Sequence, residues 1–162
     1  NLSDDYTGTT AVVAHATQWQ KDNDKTPENV CCIYATAPFI RAEDIKLGLN
    51  LLTSREAEFA FSVTSYAFPI QRAIRITCDQ RVGMFQPEYC NTRSQDLEEA
   101  WHDAGQFYWG TQAAWLSGKS SFNAKSLPII LPRYRVQDID TPEDWERAEL
   151  MFSAIVRDDL SP

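Results

Sequence analysis

Val30-Cys31-Cys32-Ile33-Tyr34-Ala35 is a continuous apolar run closed by Thr36-Ala37-Pro38. With helical patterns on both sides of it, the run reads as a strand covered on both faces. Ahead of it, Thr9 and Thr10 can cap a helix running to about Gln20, with Val12, Ala16 and Trp19 on one face. The stretch 21–29 is polar and contains Pro27, so it reads as a loop. Behind the run, Arg41-Ala42-Glu43-Asp44 opens a second helix whose Ile45, Leu49 and Leu52 recur at helical spacing. A buried strand between amphipathic helices makes the fold class α/β.

The same pattern continues to the end of the chain. Residues 59–66 and 73–77 read as strands, with a shorter one over 81–86, and 95–100 as a helical turn. Gln106-Phe107-Tyr108-Trp109 reads as a short aromatic strand and 111–116 as a short helix. The last strand falls over 127–136, and its prolines at 128 and 132 favour a sheet edge. Thr141 caps the final helix, and Pro142 takes the first helical position, where its missing N–H costs nothing. Trp145, Ala148, Phe152 and Ile155 would be its buried stripe. With no repeat, low-complexity tract or Gly/Ser linker, 1–162 reads as one domain.

The composition, 43% hydrophobic and 23% charged, is that of an ordinary globular domain. The net charge of −8 repels phosphate backbones, so nucleic acid is not an expected partner. A small anionic ligand held together with a metal ion is still compatible with that charge. No apolar run approaches a membrane span, so no membrane partner is expected. Asn1-Leu2-Ser3-Asp4-Asp5 has neither the basic nor the apolar part of a signal peptide. The absence of an initiator Met leads us to expect a processed product or a piece of a longer chain. Cysteines at 31, 32, 78 and 90 form no C-x-x-C, and His15 and His102 are far apart, so neither zinc nor a disulfide framework is expected. Buried reduced thiols in a cytoplasmic protein are the expectation.

Several residues carry possible chemistry. In extended chain Asp138 and Asp140 project to one side while Ile139 points to the other. Two carboxylates converging at a strand end suit Mg²⁺, although turn acids ahead of a capped helix have the same spacing. Arg93 can fork onto a carboxylate and Gln95 can serve hydroxyl or acetamido groups. The same segment also reads as a solvated helix start with Ser94 and Asp96 as caps. Tyr34 and Thr36 lie where the buried strand emerges, and Thr36-Ala37-Pro38 can equally be a plain strand terminator. His102 and Asp103 precede Gly105; a histidine titrates near neutrality, but a lone one is more often structural. Trp101, Phe107, Tyr108 and Trp109 read as packing.

Three ordered segments carry a resemblance: Cys32-Ile33-Tyr34-Ala35-Thr36-Ala37-Pro38-Phe39; Arg93-Ser94-Gln95-Asp96-Leu97 with His102-Asp103-Ala104-Gly105-Gln106-Phe107-Tyr108-Trp109; and Asp138-Ile139-Asp140-Thr141-Pro142-Glu143-Asp144. With them the chain resembles the acylneuraminate cytidylyltransferases (CMP-sialic acid synthetases), in particular the bacterial branch that activates pseudaminic acid. The likeness covers essentially the whole chain. It implies a partial nucleotide-diphospho-sugar transferase fold, a Rossmann-like three-layer sandwich with a β-rich dimerisation arm over 55–92. It also implies transfer of CMP from CTP to a nine-carbon sugar acid with release of pyrophosphate, in the cytoplasm. Asp138 and Asp140 would be the catalytic acids that hold Mg²⁺. Tyr34, Thr36, Arg93, Gln95 and Asp103 would line the substrates, and a second copy of the chain would be the protein partner.

The alternation of Phe59, Phe61, Val63 and Tyr66 supports the arm, because a half-buried strand needs a covering partner. Members of the family open with a strand and a Gly/Lys/Arg-rich loop that holds the triphosphate. These residues instead open with a helix, and their six glycines are scattered. The expectation is the later part of such an enzyme, with an apolar sheet edge at 30–35 and no catalysis by this chain alone. The alternative to a catalytic fragment is a non-catalytic homologue that dimerises or binds sugar.

Overall fold

A computed structural model describes residues 2, 4 and 6–159. Helix α1 (Thr9–Asp22) leads to β1 (Asn29–Ile33), α2 (Ala42–Ser54) and β2 (Phe59–Ser65). A short hairpin follows, β3 (Ile74–Ile76) and β4 (Val82–Met84), then β5 (Trp101–Thr111), α3 (Gln112–Leu116), β6 (Ser126–Ile130) and α4 (Pro142–Asp159). The main sheet has the order β1-β5-β2-β6, and β3-β4 form a separate two-stranded sheet. β5 runs antiparallel to β1 and β2, while β6 runs parallel to β2. The fold is therefore α/β with a mixed sheet, in which β1, β2 and β6 share one direction.

The period of two along the strands divides the core into two clusters. Phe59, Phe61, Val63 and Tyr108 pack with Val13 of α1 and with Ala114 and Trp115 of α3. Ala60, Ala104, Phe107 and Ile129 pack with Leu52 of α2 and with Ala57 and Leu131. Helices thus cover both faces of the sheet. Gly48 allows α2 to close on β5, since a Cβ there would lie 2.7 Å from Cδ1 of Trp109. The Trp109 indole in turn donates to the Ile45 carbonyl at 2.8 Å.

Several expectations are met for the reasons given. The short helix expected over 111–116 is α3, and its start has a cap the sequence reading did not name: Thr111 Oγ1 accepts from the Ala114 N–H at 3.1 Å. Asp144 N–H donates to Thr141 Oγ1 at 3.2 Å and Thr141 N–H to Asp144 Oδ2 at 2.9 Å, a reciprocal capping box for α4. Leu52 is buried beneath α2, and Pro128 lies in an edge strand.

The structure corrects other expectations. α1 begins after Gly8 with no side-chain cap and buries Val13 and Thr17, while Val12 and Trp19 are exposed: the helix turns Val13, not Val12, into the cluster with Phe59 of β2 and Trp115 of α3. β1 is half-buried rather than enclosed. Among the described residues it pairs with β5 alone. β5 is far longer than 106–109. An irregularity aligns Phe61 with Tyr108 but Val63 with Asp103, and this break hides the alternation of the strand in the sequence.

β2 is buried on both faces from Phe59 to Thr64 and lies between β5 and β6 in the main sheet, so it is not the half-buried strand expected over 59–66. Its polar groups are satisfied internally: Ser62 Oγ accepts from the Phe107 N–H at 3.3 Å, and Thr64 Oγ1 donates to the Leu131 carbonyl at 2.9 Å. The stripe of α4 buries Ala148, while Trp145 and Phe152 are each 57% exposed. Cys31 and Cys32 are half-buried, and burial pushes the Cys31 thiol up to about 12. Cys78 and Cys90 are exposed free thiols, contrary to the expectation that all four are buried. No helix among the described residues is long and apolar enough to cross a membrane.

Candidate functional site

β2 and β6 end on the same side of the sheet, and β5 begins there. Ligand crevices of α/β sheets open at this end of parallel strands. A cleft of about 470 Å³ lies there, floored by Thr64 and Ser65 of β2 and by 102–105 of β5. The segment after β6 and the start of α4 supply its charges: Arg133, Asp138, Asp140, Asp144 and Arg147, facing Asp103 and His102.

The acidic turn is held from three directions. The first anchor is a buried ion pair, Arg135 Nη1 to Asp44 Oδ2 at 2.7 Å, with side chains 10% and 15% exposed. The carbonyl of Arg135 also accepts from Gln106 Nε2 at 2.6 Å. The second anchor is the backbone of β5. Gly105 has φ +60°, which L side chains rarely adopt, and a Cβ there would meet Asp138 Oδ2 at 3.1 Å. The third is the α4 cap. Asp144 Oδ2 accepts from Thr141 Oγ1 at 2.7 Å and from the Asp140 N–H at 3.3 Å. The Thr141 hydroxyl, together with neighbouring backbone N–H groups, holds the Asp144 carboxyl below its ordinary value. Asp138 is half-buried, and its Oδ1 accepts from the Ile139 N–H at 3.1 Å; Asp140 is exposed.

On the β5 side, Asp103 Oδ2 accepts a short hydrogen bond from the Tyr108 hydroxyl. Burial, reinforced by Asp103, pushes the Tyr108 phenol well above its ordinary value, so it stays a donor. The Tyr108 ring lies 5.5 Å from that of Tyr34, whose hydroxyl donates to Thr9 Oγ1 at 3.2 Å. His102 Nδ1 lies 2.8 Å from the Asp103 carbonyl. A carbonyl only accepts, so Nδ1 carries a proton in this contact, which leaves Nε2 as the nitrogen available to a ligand.

The structure therefore brings Asp103, Asp138 and Asp140 to one cleft. Tyr34 and Thr36 follow β1 at the same end of the sheet but do not line the cleft. Arg93 and Gln95 sit elsewhere, on an exposed turn where the Arg93 guanidinium forks onto Asp96 at 2.7 and 3.0 Å. Sequence reasoning missed Arg133, Arg147, Gly105, Gln137 and Asp144. Two of these were accessible to it: Asp144 as the partner of Thr141 in the capping box, and Arg133 as a charge just past the last strand.

Among the described residues no cluster of three or more His, Cys, Asp or Glu is set to hold a metal ion. Mg²⁺ does not need one, since it commonly takes one or two carboxylates and completes its shell with water and phosphate oxygens. Asp138 and Asp140, both on the cleft wall, fit that donor set. The cleft suits a small polar molecule with an anionic group, because two arginines stand among its acids.

Crevices at the ends of parallel strands are where α/β domains commonly take small polar ligands. No family model matches the chain. It is, however, 40% identical over 152 residues to the pseudaminic acid cytidylyltransferases of Campylobacter jejuni subsp. jejuni serotypes O:2 and O:23/36, a match covering 94% of this chain. It is also 27% identical over 139 residues, 85% of this chain and 26% of the relative, to the Helicobacter pylori protein named pseudaminic acid cytidylyltransferase and UDP-2,4-diacetamido-2,4,6-trideoxy-β-L-altropyranose hydrolase. The chain belongs to the pseudaminic acid cytidylyltransferase family. It spans 66% of the length of the two Campylobacter relatives.

Proposed function

We propose that these residues form the sugar-acid and metal side of a cytidylyltransferase site, and that this chain by itself binds the sugar acid without turning over CTP. The observation that carries the reading is the single cleft that gathers Asp103, Asp138 and Asp140 with Arg133 and Arg147. Arg133 and Arg147 would pair with the carboxylate of a pseudaminic-type acid, while Asp103 and His102 Nε2 would accept hydrogen bonds from its hydroxyls. In the transfer itself a sugar hydroxyl bonds to the α-phosphorus of CTP and the bond to pyrophosphate breaks. Bound between Asp138, Asp140 and the phosphates, Mg²⁺ would neutralise charge and ease loss of the hydroxyl proton. CTP as co-substrate places the reaction in the cytoplasm.

The nucleotide side is a different matter. Triphosphates are cradled by backbone N–H groups of a glycine-rich turn or helix N-terminus, with basic side chains. The glycines of this chain, at 8, 48, 83, 105, 110 and 118, make no such spacing. This favours the non-catalytic reading for the 162 residues alone. Calorimetric titration with the sugar acid and, separately, with CTP and Mg²⁺ tests the two halves of the reading.

The mixed sheet with helices on both faces fits part of a Rossmann-like three-layer nucleotide-diphospho-sugar transferase. An arm in the 55–92 region would be confined to what leaves the main sheet after β2, with the β3–β4 hairpin at its centre. That stretch exposes Phe68 (82%), Ile76 (69%), Val82 (69%) and Phe85 (62%), an apolar surface suited to a second copy of the chain. Arg93 and Gln95 lie next to it in sequence, so a sugar contact from them requires movement of their turn or the cleft of the second copy. Light scattering at micromolar concentration is expected to give a dimer mass. A monomer mass would count against this surface as the dimer contact.

A further inference from the structure

Gln137 is 7% exposed, yet the reading above gives it no part. Its side-chain nitrogen donates to the Asp138 carbonyl at 2.7 Å and to Asp144 Oδ1 at 3.0 Å. The other oxygen of Asp144 accepts from the N–H groups of Asp140 and Thr141. The polar links therefore close a ring around Asp138-Ile139-Asp140, with the Gln137 amide at its centre. Ile139 is fastened separately, in an apolar pocket with Pro38, Phe39, Trp145 and Ala148.

We propose that Gln137 is the positioning residue of the acidic turn, tying the Asp138 backbone to the Asp144 cap so that the carboxylates of Asp138 and Asp140 meet a divalent cation together. The inference rests on the reading of those two acids as the metal-holding pair. A buried amide costs free energy unless it is bonded, and both partners of this one belong to the turn or its cap. The amide can be satisfied only while the turn keeps this shape. The α4 cap does not depend on it, because Thr141 and Asp144 bond each other directly. A tie that orients ligands has a recognisable signature: its loss lowers metal affinity about 10- to 100-fold.

Gln137→Met keeps the side-chain length and removes both donors. Mn²⁺ is the probe, read on the purified chain from the free-ion electron paramagnetic resonance signal. The variant is expected to raise the dissociation constant about 10- to 100-fold with near-native helix content. Asp138→Asn and Asp140→Asn should each weaken the same binding. Should the Met variant lose its fold, Gln137→Asn, which remains polar but is too short to reach both partners, carries the same test. Unchanged Mn²⁺ affinity in a folded variant, with binding that still depends on the two acids, overturns the role of Gln137 alone. No Mn²⁺ binding by the unmodified chain, or binding indifferent to both acids, overturns the reading of the acids and the inference with it.

Discussion

Asp44→Ala is expected to destabilise the domain by about 3–5 kcal/mol, a large share of the stability of an ordinary single domain. The substitution leaves the Arg135 guanidinium in place with its side chain only 10% exposed and its carboxylate partner gone. The penalty is that of an uncompensated buried charge and not the value of the pair itself. Replacing both partners, as in Asp44→Leu with Arg135→Met, should therefore recover most of the loss. Urea unfolding followed by circular dichroism checks both. A midpoint for Asp44→Ala equal to that of the unmodified chain would show that the pair is not buried in solution. The pair also has a role at the site. It fastens the start of the segment that carries Arg133, Asp138 and Asp140 onto α2, and the Arg135 carbonyl ties it to Gln106 of β5.

The second large effect falls on chemistry and leaves the fold intact. In an enzyme assembled with a nucleotide-binding part, Asp138→Ala or Asp140→Ala is expected to lower metal-dependent turnover by about a thousandfold, the factor that corresponds to about 4 kcal/mol of transition-state stabilisation. Neither acid belongs to the hydrophobic clusters, and Asp140 is exposed, so the melting temperature should hardly move. Pyrophosphate release at limiting Mg²⁺ is the measurement. Unchanged release in either variant would remove that acid from the metal site.

The sequence reveals elements whose cause is local. Thr141-Pro142 marks a helix start because a hydroxyl cap and a proline act within one turn. Leu52 is legible as core because the apolar period of α2 is clean. It is silent where the decision is tertiary. Val12 and Val13 are equally apolar, and only burial against β2, β5 and α3 selects the second. β2 carries Ser62 and Thr64 in its buried run, and their internal partners lie far along the chain on β5 and after β6, so a central strand passes for a half-wet one.

The site divides in the same way. The Asp-x-Asp spacing shows in the sequence, and the structure brings both acids to the cleft wall. Arg133 and Arg147 are not legible as site residues in the sequence, because the cleft that gives them meaning is assembled from four separate segments. Arg93 drew attention as a carboxylate binder, and its carboxylate here is Asp96, three residues away.

The most direct measurement is a pair of calorimetric titrations into the purified 162-residue chain. With Mg²⁺ present, a pseudaminic-type sugar acid is expected to give saturable heat that Arg147→Ala abolishes, while CTP gives none. Saturable one-to-one binding of CTP at micromolar affinity, or a sugar acid that produces no heat, would contradict the account.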